Sequence, residues 1–366
     1  MTGSPHHFPP PGAPLPEEPA GGPPPGAPYA PPPPAPPFRG GPPAPPGMLG
    51  AAHKPGAFAL RPLRLGDMYD GAFRIIRFNP KATVGAAALV TAVAMILPIA
   101  VNAVLAFTVG SGFDTDGEIS DEPSTTEALG LIGGFGSLLL GSYVAQLGLI
   151  LVTGMVVHVT RAAAVGRRLT LAEAWAATHG KRWRLVGQTF VVAMTSLFVI
   201  AVAVLLVVLV AVATGDVLVT VLISLLVVAA TVPVCMWLWI KLVLLATPAL
   251  MLEPIGVFAA FGRSWRLTGG QFWRVLGIAL LTVLITGTAG QIVGFPFGIV
   301  AGVGGALAPQ YYFLIYSIAT GVGAVLSNAF VAPFTAAVTS LQYIDQRMRK
   351  EAYDVELMRE AGLIAR

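Results

Sequence analysis

Polar and apolar positions along this chain fall into long blocks. From Ala82 onward, stretches free of Asp, Glu, Lys and Arg cover residues 82–113, 128–160, 185–215, 217–240 and 275–344. A helix needs about 20 apolar residues to cross a bilayer core. The last stretch is too long for one helix, and Gly-Val-Gly-Gly-Ala-Leu-Ala-Pro at 302–309 reads as a turn inside it. Six spans follow, near 82–109, 130–158, 187–214, 217–246, 275–302 and 312–340. In lipid, backbone groups must be satisfied within a helix or a closed barrel. These blocks lack the alternation of barrel strands, so the expected fold is all-α, a polytopic membrane helix bundle.

The segments between blocks carry helical stripes. Leu65, Met68, Ala72, Ile75 and Ile76 line one face of 65–78; Asp67, Asp70, Arg74 and Arg77 line another, with Asp70 and Arg74 at i,i+4. Thr170 and Glu173 have capping-box spacing, and Leu171 shares a face with Trp175. Pro254 suits the first turn of a helix over 254–265, with Phe258, Phe261 and Trp265 on one side. Trp183-Arg184-Leu185-Val186-Gly187 and Trp273-Arg274-Val275-Leu276-Gly277 match closely, and Phe78-Asn79-Pro80-Lys81 is a looser counterpart. The expectation is a threefold internal repeat, each unit a cytoplasmic amphipathic helix followed by a two-span hairpin. Two roles stay open for such helices: gripping anionic headgroups, or anchoring and orienting the spans. Beyond span six, Leu341, Ile344, Met348, Ala352 and Val355 line a face, and Asp345/Arg349, Arg347/Glu351 and Lys350/Asp354 are i,i+4 pairs. Residues 341–366 thus read as a charged cytoplasmic C-terminal helix leaving the membrane.

Composition sharpens this. Charged residues are 11% and mean hydropathy is +0.75, which excludes an ordinary soluble enzyme. Residues 1–56 hold 22 of the 32 prolines and almost no aliphatic side chains, so they read as a disordered, locally polyproline-II cytoplasmic tail ahead of a membrane domain over 57–340. PxxP-type sites near Phe38-Arg39 leave room for a protein partner. The tail has no apolar stretch after its start and does not read as a signal peptide.

The net charge of +4 conceals an asymmetry. On the six-span topology all 22 Lys and Arg fall on one side; the opposite loops hold Asp114, Asp116, Glu118, Asp121, Glu122, Glu127 and Asp216. Positive-inside bias then puts both termini in the cytoplasm. Arg outnumbers Lys 17 to 5 amid abundant Ala, Gly, Pro and Val, which points to a high-GC bacterial genome and hence a bacterial plasma membrane.

Candidate chemistry is sparse. No acidic residue falls inside a predicted span, which argues against ordinary proton-coupled transport. Lys241, beside Trp237 and Trp239, suits snorkelling to the interface. No two histidines stand at i,i+4, HExxH is missing, and Cys235 is alone, so no metal site or disulfide is expected. The acidic loop 114–122 departs from a calcium loop, with glycine at its fourth position and Thr125 at its twelfth. No nucleotide fingerprint or nucleic-acid module occurs, so no cofactor, nucleic acid or catalytic residue is expected. Gly290, Gly294, Gly298 and Gly302 form a packing ridge, suited to helix contact within one chain or in a homo-oligomer. Gln291 and Asn328 are candidate cleft contacts or an interhelical hydrogen bond. Arg184, Arg263, Arg266 and Arg274 are candidate headgroup contacts.

The run Leu60-Arg61-Pro62-Leu63-Arg64-Leu65-Gly66-Asp67-Met68-Tyr69-Asp70-Gly71-Ala72-Phe73 resembles the start of a bacterial, mostly actinobacterial, family of glycerophosphoryl diester phosphodiesterase membrane-domain proteins. Pro248 to Glu253, Arg263 to Arg274 and Tyr343 to Glu351 carry further likeness, over about 60–357 in all. The resemblance implies a six-helix membrane module. The phosphodiesterase barrel fused to some members needs about 250 residues, and this chain has no room for it. The expected function is therefore a non-catalytic membrane protein organising lipid or partner proteins at the cytoplasmic face. The alternative is a transporter or flippase for an amphipathic or lipid-like substrate, with a cleft between repeats lined by Gln146, Gln291 and Asn328 and with Arg184, Arg263 and Arg274 at its mouth. A lipid enzyme would have only Asp67, Asp70, Glu253 and Asp345 to work with.

Overall fold

The computed structural model describes residues 56–108 and 125–363. The Pro-rich stretch up to residue 55 and the acidic loop 114–122 lie outside the described residues. In chain order the helices are α1 (Leu65–Phe78), α2 (Ala86–Thr108), α3 (Thr125–Ala164), α4 (Leu171–Ala177), α5 (Arg182–Thr214), α6 (Val217–Leu238), α7 (Ala246–Leu252), α8 (Val257–Thr268), α9 (Phe272–Leu307), α10 (Tyr312–Glu351) and α11 (Tyr353–Glu360). Single π-helical turns lead into α2 (Lys81–Gly85) and out of α6 (Trp239–Val243). Among the described residues, six helical segments are long and apolar enough to cross a membrane: Lys81–Thr108, Ala128–Ala164, Arg182–Thr214, Val217–Leu252, Phe272–Leu307 and Pro309–Glu351.

The spans form antiparallel hairpins. In the first, Gly141 of α3 lies against Pro98 of α2; a Cβ there would sit 2.6 Å from the proline ring. Asn102 donates to the Ser137 hydroxyl at 3.0 Å across the same pair. In the third, Gly290 and Gly294 of α9 face Val331 and Ser327 of α10, and the Ser327 hydroxyl donates to the Gly290 carbonyl at 3.2 Å. The other half of the ridge, Gly298 and Gly302, is exposed and has nothing within 4 Å of its would-be Cβ atoms. The α5–α6 hairpin is buried only near its base, at Leu185, Gln188 and Ile240 among the described residues.

The core does not lie in the middle of the spans. The largest fully buried side chains include Phe58, Leu63, Met68, Ile75, Leu185, Ile240, Leu250, Met251, Leu267, Leu341 and Tyr343, and all belong to the end of the bundle that carries the basic residues. Burial there removes apolar surface from water and is strongly driven. In the spans, lipid is as apolar as leucine and supplies no such force. One buried face of α1, Met68, Gly71, Ala72, Ile75 and Ile76, joins this layer, whereas Leu65 at its first turn is 44% exposed. The segment before α1 is pinned on α3: the Ala57 amide donates to the Ala163 carbonyl at 2.8 Å. A Cβ on Gly56 would stand 2.0 Å from that same oxygen, so the approach requires glycine.

Three boundaries differ from expectation. Pro254 does not open a helix. It holds Glu253 in an extended conformation (φ −107°, ψ 154°), which ends α7, and α8 begins only at Val257. The reversal falls inside the expected 302–309 but at its far end: α9 runs past the glycines to Leu307, later than the expected span end at 302, and the chain turns at Ala308 and Pro309. Gly304 and Gly305 let Ile315 and Tyr312 pack closely. No helix boundary falls at residues 340–341. Residues 341–351 continue α10 without interruption, and most of 340–348 is buried. The break comes at Ala352 (φ 51°), so Val355 leaves the predicted stripe and is 38% exposed.

Candidate functional site

The basic end is held by two polar networks. The first is centred on Asp345, whose side chain is fully buried. Its Oδ1 accepts the Leu63 amide at 2.7 Å, its Oδ2 accepts Arg274 Nη1 at 2.5 Å, and Arg349 Nε donates to both oxygens at 3.0 Å. The same two guanidinium groups donate to the Leu63 carbonyl at 2.6 and 3.1 Å. The backbone of one residue before α1, Leu63, is thereby clamped between the start of α9 and the end of α10. A carboxylate can lie buried because two cations and an amide satisfy its lone pairs.

The second network is centred on Glu253, held out by the extended backbone before Pro254. It accepts hydrogen bonds from Arg263 Nε at 2.9 Å and from the Tyr343 hydroxyl. Arg263 also donates in a fork to both oxygens of Glu351, at 2.5 and 2.6 Å. Burial opposes the charge on Arg263, but hydrogen bonds with Glu351 and Glu253 outweigh it and raise its pKa above the ordinary value. Arg347 donates to Glu351 at 3.0 Å and stacks 3.8 Å over the Tyr353 ring, where the chain turns off α10.

Three more cations satisfy helix carbonyl ends, where the helix dipole favours positive charge. Lys181 Nζ donates to the Met251 and Glu253 carbonyls at the end of α7, at 2.7 and 2.9 Å. Burial lowers the Lys181 pKa, with Arg184 and Arg161 adding to the shift. Lys350 Nζ donates to the Arg266 and Gly269 carbonyls at the end of α8, at 2.9 and 2.6 Å, in place of the expected pairing with Asp354. Arg182 donates to the Trp175 carbonyl at 2.7 Å and covers the Trp175 ring at 3.7 Å, closing α4. The α4 start is the expected capping box, and hydrogen bonds from Thr170 hold the Glu173 carboxyl below its usual range.

Of the four arginines expected to meet headgroups, Arg263 and Arg274 are committed to carboxylates. Arg184 donates to the Ile255 carbonyl at 3.3 Å, and Arg266 is exposed on α8. Lys241 stands over the Trp265 and Phe272 rings at 5.2 and 5.8 Å. Asp67 accepts the Arg64 amide, and Asp70 pairs with Arg74 at 2.8 Å.

A second feature lies mid-span. A cavity of about 420 Å³ between α2, α3 and α10 is lined by Thr91, Ser142, Gln146, Thr153 and Asn328 among others. Thr91 is fully buried there, and its hydroxyl has no partner among the described residues. Gln146 and Asn328 therefore share a cleft, whereas Gln291 is exposed on α9 and does not line it. The groups that sequence reading missed are Leu63, whose contribution is its backbone, and His158 with Arg161. The i,i+3 spacing of that pair and the Arg167-Arg168 doublet beyond it are a visible signal.

No known protein family, no curated protein and no solved structure matches this chain. Among the described residues, no group of three or more His, Cys, Asp or Glu side chains is placed to hold a metal ion.

Proposed function

We propose that the chain is a non-catalytic, multi-pass protein of a bacterial plasma membrane, with both termini in the cytoplasm, that organises lipid or partner proteins at the inner face. The observation that carries this reading is Asp345. The most deeply buried carboxylate among the described residues is neutralised by Arg274 and Arg349 and tied to a backbone amide, which makes it a clamp rather than a reactive group. The four stretches that resemble the phosphodiesterase membrane-domain family supply Leu63, Glu253, Arg263, Arg274, Tyr343, Asp345 and Glu351. This supports a shared architecture rather than a shared activity. Helices α1, α4 and α8 each precede a hairpin, which supports the threefold repeat.

The shared cleft of Gln146 and Asn328 favours a second reading, a flippase for a lipid-like substrate. Reconstitution into vesicles carrying a fluorescent phospholipid separates the two. The organising reading expects no acceleration of lipid exchange between leaflets. Acceleration that disappears in a Gln146→Leu, Asn328→Leu variant would overturn it. Orientation is checked in a Cys235→Ala background: Thr214→Cys should react with an impermeant thiol reagent in intact cells, and Arg266→Cys should not.

A further inference from the structure

A cavity of about 850 Å³ opens at the basic end between the last turns of α3, the loop that follows, α4 and α11. Its walls include His158, Arg161, Arg167 and Arg168. Two buried polar atoms there have no partner among the described residues: Nε2 of His158 and Nε of Arg161. The acids nearby are already engaged. Glu173 accepts from the Thr170 amide and hydroxyl at 2.7 and 2.9 Å, and Glu360 pairs with Arg161 at 3.2 Å. Arg167 and Arg168 are exposed and, among the described residues, neither is paired with a carboxylate. Arg168 rests 4.5 Å over the Phe78 ring, which holds it beside the opening.

Arg263, Arg274, Arg349, Lys181 and Lys350 are consumed by carboxylates and carbonyls; here two guanidinium groups and two buried nitrogens are left over around one space. Guanidinium forks fit the oxygens of a phosphate, and unpartnered buried nitrogens are costly until such a group arrives. We propose that this cavity binds a phosphate oxyanion, carried by an anionic lipid headgroup or by a free phosphate, through His158, Arg161, Arg167 and Arg168. The site names a ligand class for the organising role and rests on that reading only for its place at the inner leaflet.

The test uses the full chain in phosphatidylcholine nanodiscs. One arm titrates inorganic phosphate by calorimetry; the other adds a minority of phosphatidylglycerol and counts retained phosphatidylglycerol by native mass spectrometry. Binding is expected in at least one arm, weakened about tenfold or more by Arg167→Gln with Arg168→Gln. Arg74→Gln with Arg77→Gln removes the same charge from exposed positions on α1 and should change binding by less than about twofold. Saturable phosphate binding alone identifies a free anion; retained phosphatidylglycerol identifies the headgroup. No binding in either arm, or equal loss in the control pair, overturns the site. Neither result touches the leaflet-exchange measurement, which decides the proposed function separately.

Discussion

The α5–α6 hairpin and the four-helix bundle of α2, α3, α9 and α10 divide the spans in an unexpected way. The hairpin spans are the most apolar, with mean hydropathy 3.2 and 2.7 over 18-residue stretches, yet none of those residues is buried. The bundle spans are less apolar, at 2.4, 1.8, 1.9 and 1.6, and 28–44% of their windows are buried. In water the order would be reversed. In lipid, apolarity brings no association, and helices approach through small residues and hydrogen bonds. The stretches 188–214 and 217–252 contain no glycine, whereas α9 holds Gly277, Gly287, Gly290, Gly294, Gly298, Gly302, Gly304 and Gly305. The hairpin's valine- and leucine-rich surfaces are left exposed, and its attachment falls to its base, where Leu185, Gln188 and Ile240 are buried.

This contrast can be broken at several points. The largest effect is expected for Asp345→Asn. It leaves Arg274 and Arg349 facing each other around the Leu63 carbonyl, and should cost about 3 kcal/mol, seen as a fall in thermal unfolding temperature in detergent. Gly141→Ala tests the bundle's close packing. The new methyl meets the Pro98 ring, both backbones must shift, and the loss should be about 1–3 kcal/mol by the same measurement. Lys181→Met probes the base of the hairpin. Removing its hold on the α7 carbonyls should cost about 1 kcal/mol and raise amide exchange around 249–253.

Glu173 gives a pH signature. Its folded-state pKa is depressed, so its contribution is present above the ordinary carboxylate range and is lost as pH falls through the folded value. Exchange of the α4 amides should rise on acidification in the wild type and be insensitive in Glu173→Gln. The smallest effect is expected for Leu225→Ala on the exposed hairpin: within about 0.5 kcal/mol. A loss as large as that of Gly141→Ala would mean that another surface covers the hairpin.

Much of the architecture was legible locally. Six spans were visible because transfer of a 20-residue segment into hydrocarbon depends on that segment's own composition. The capping box at Thr170, the Asp70/Arg74 pair and most of the α1 stripe involve neighbours within one or two helical turns, and they stand as read. Pro254 ends α7 instead of opening α8 because its restriction falls on the residue before it. The burial of 341–351 was not legible locally, because the partners that bury it come from Leu63 and Arg274, 282 and 71 residues from Asp345.

Composition along the chain determined that six segments are apolar enough to cross a membrane, and it is the basis for expecting Lys and Arg on one side of them. Both are sums over local stretches, and the bilayer reads them stretch by stretch. Tertiary structure decided which cations are consumed and which remain available. Arg263 and Arg274 look no different in sequence from Arg167 and Arg168, but the first two meet carboxylates delivered by distant helices and the second two do not. Pairing energy depends on a few ångströms of separation, and those separations exist only once the helix ends have packed into one layer.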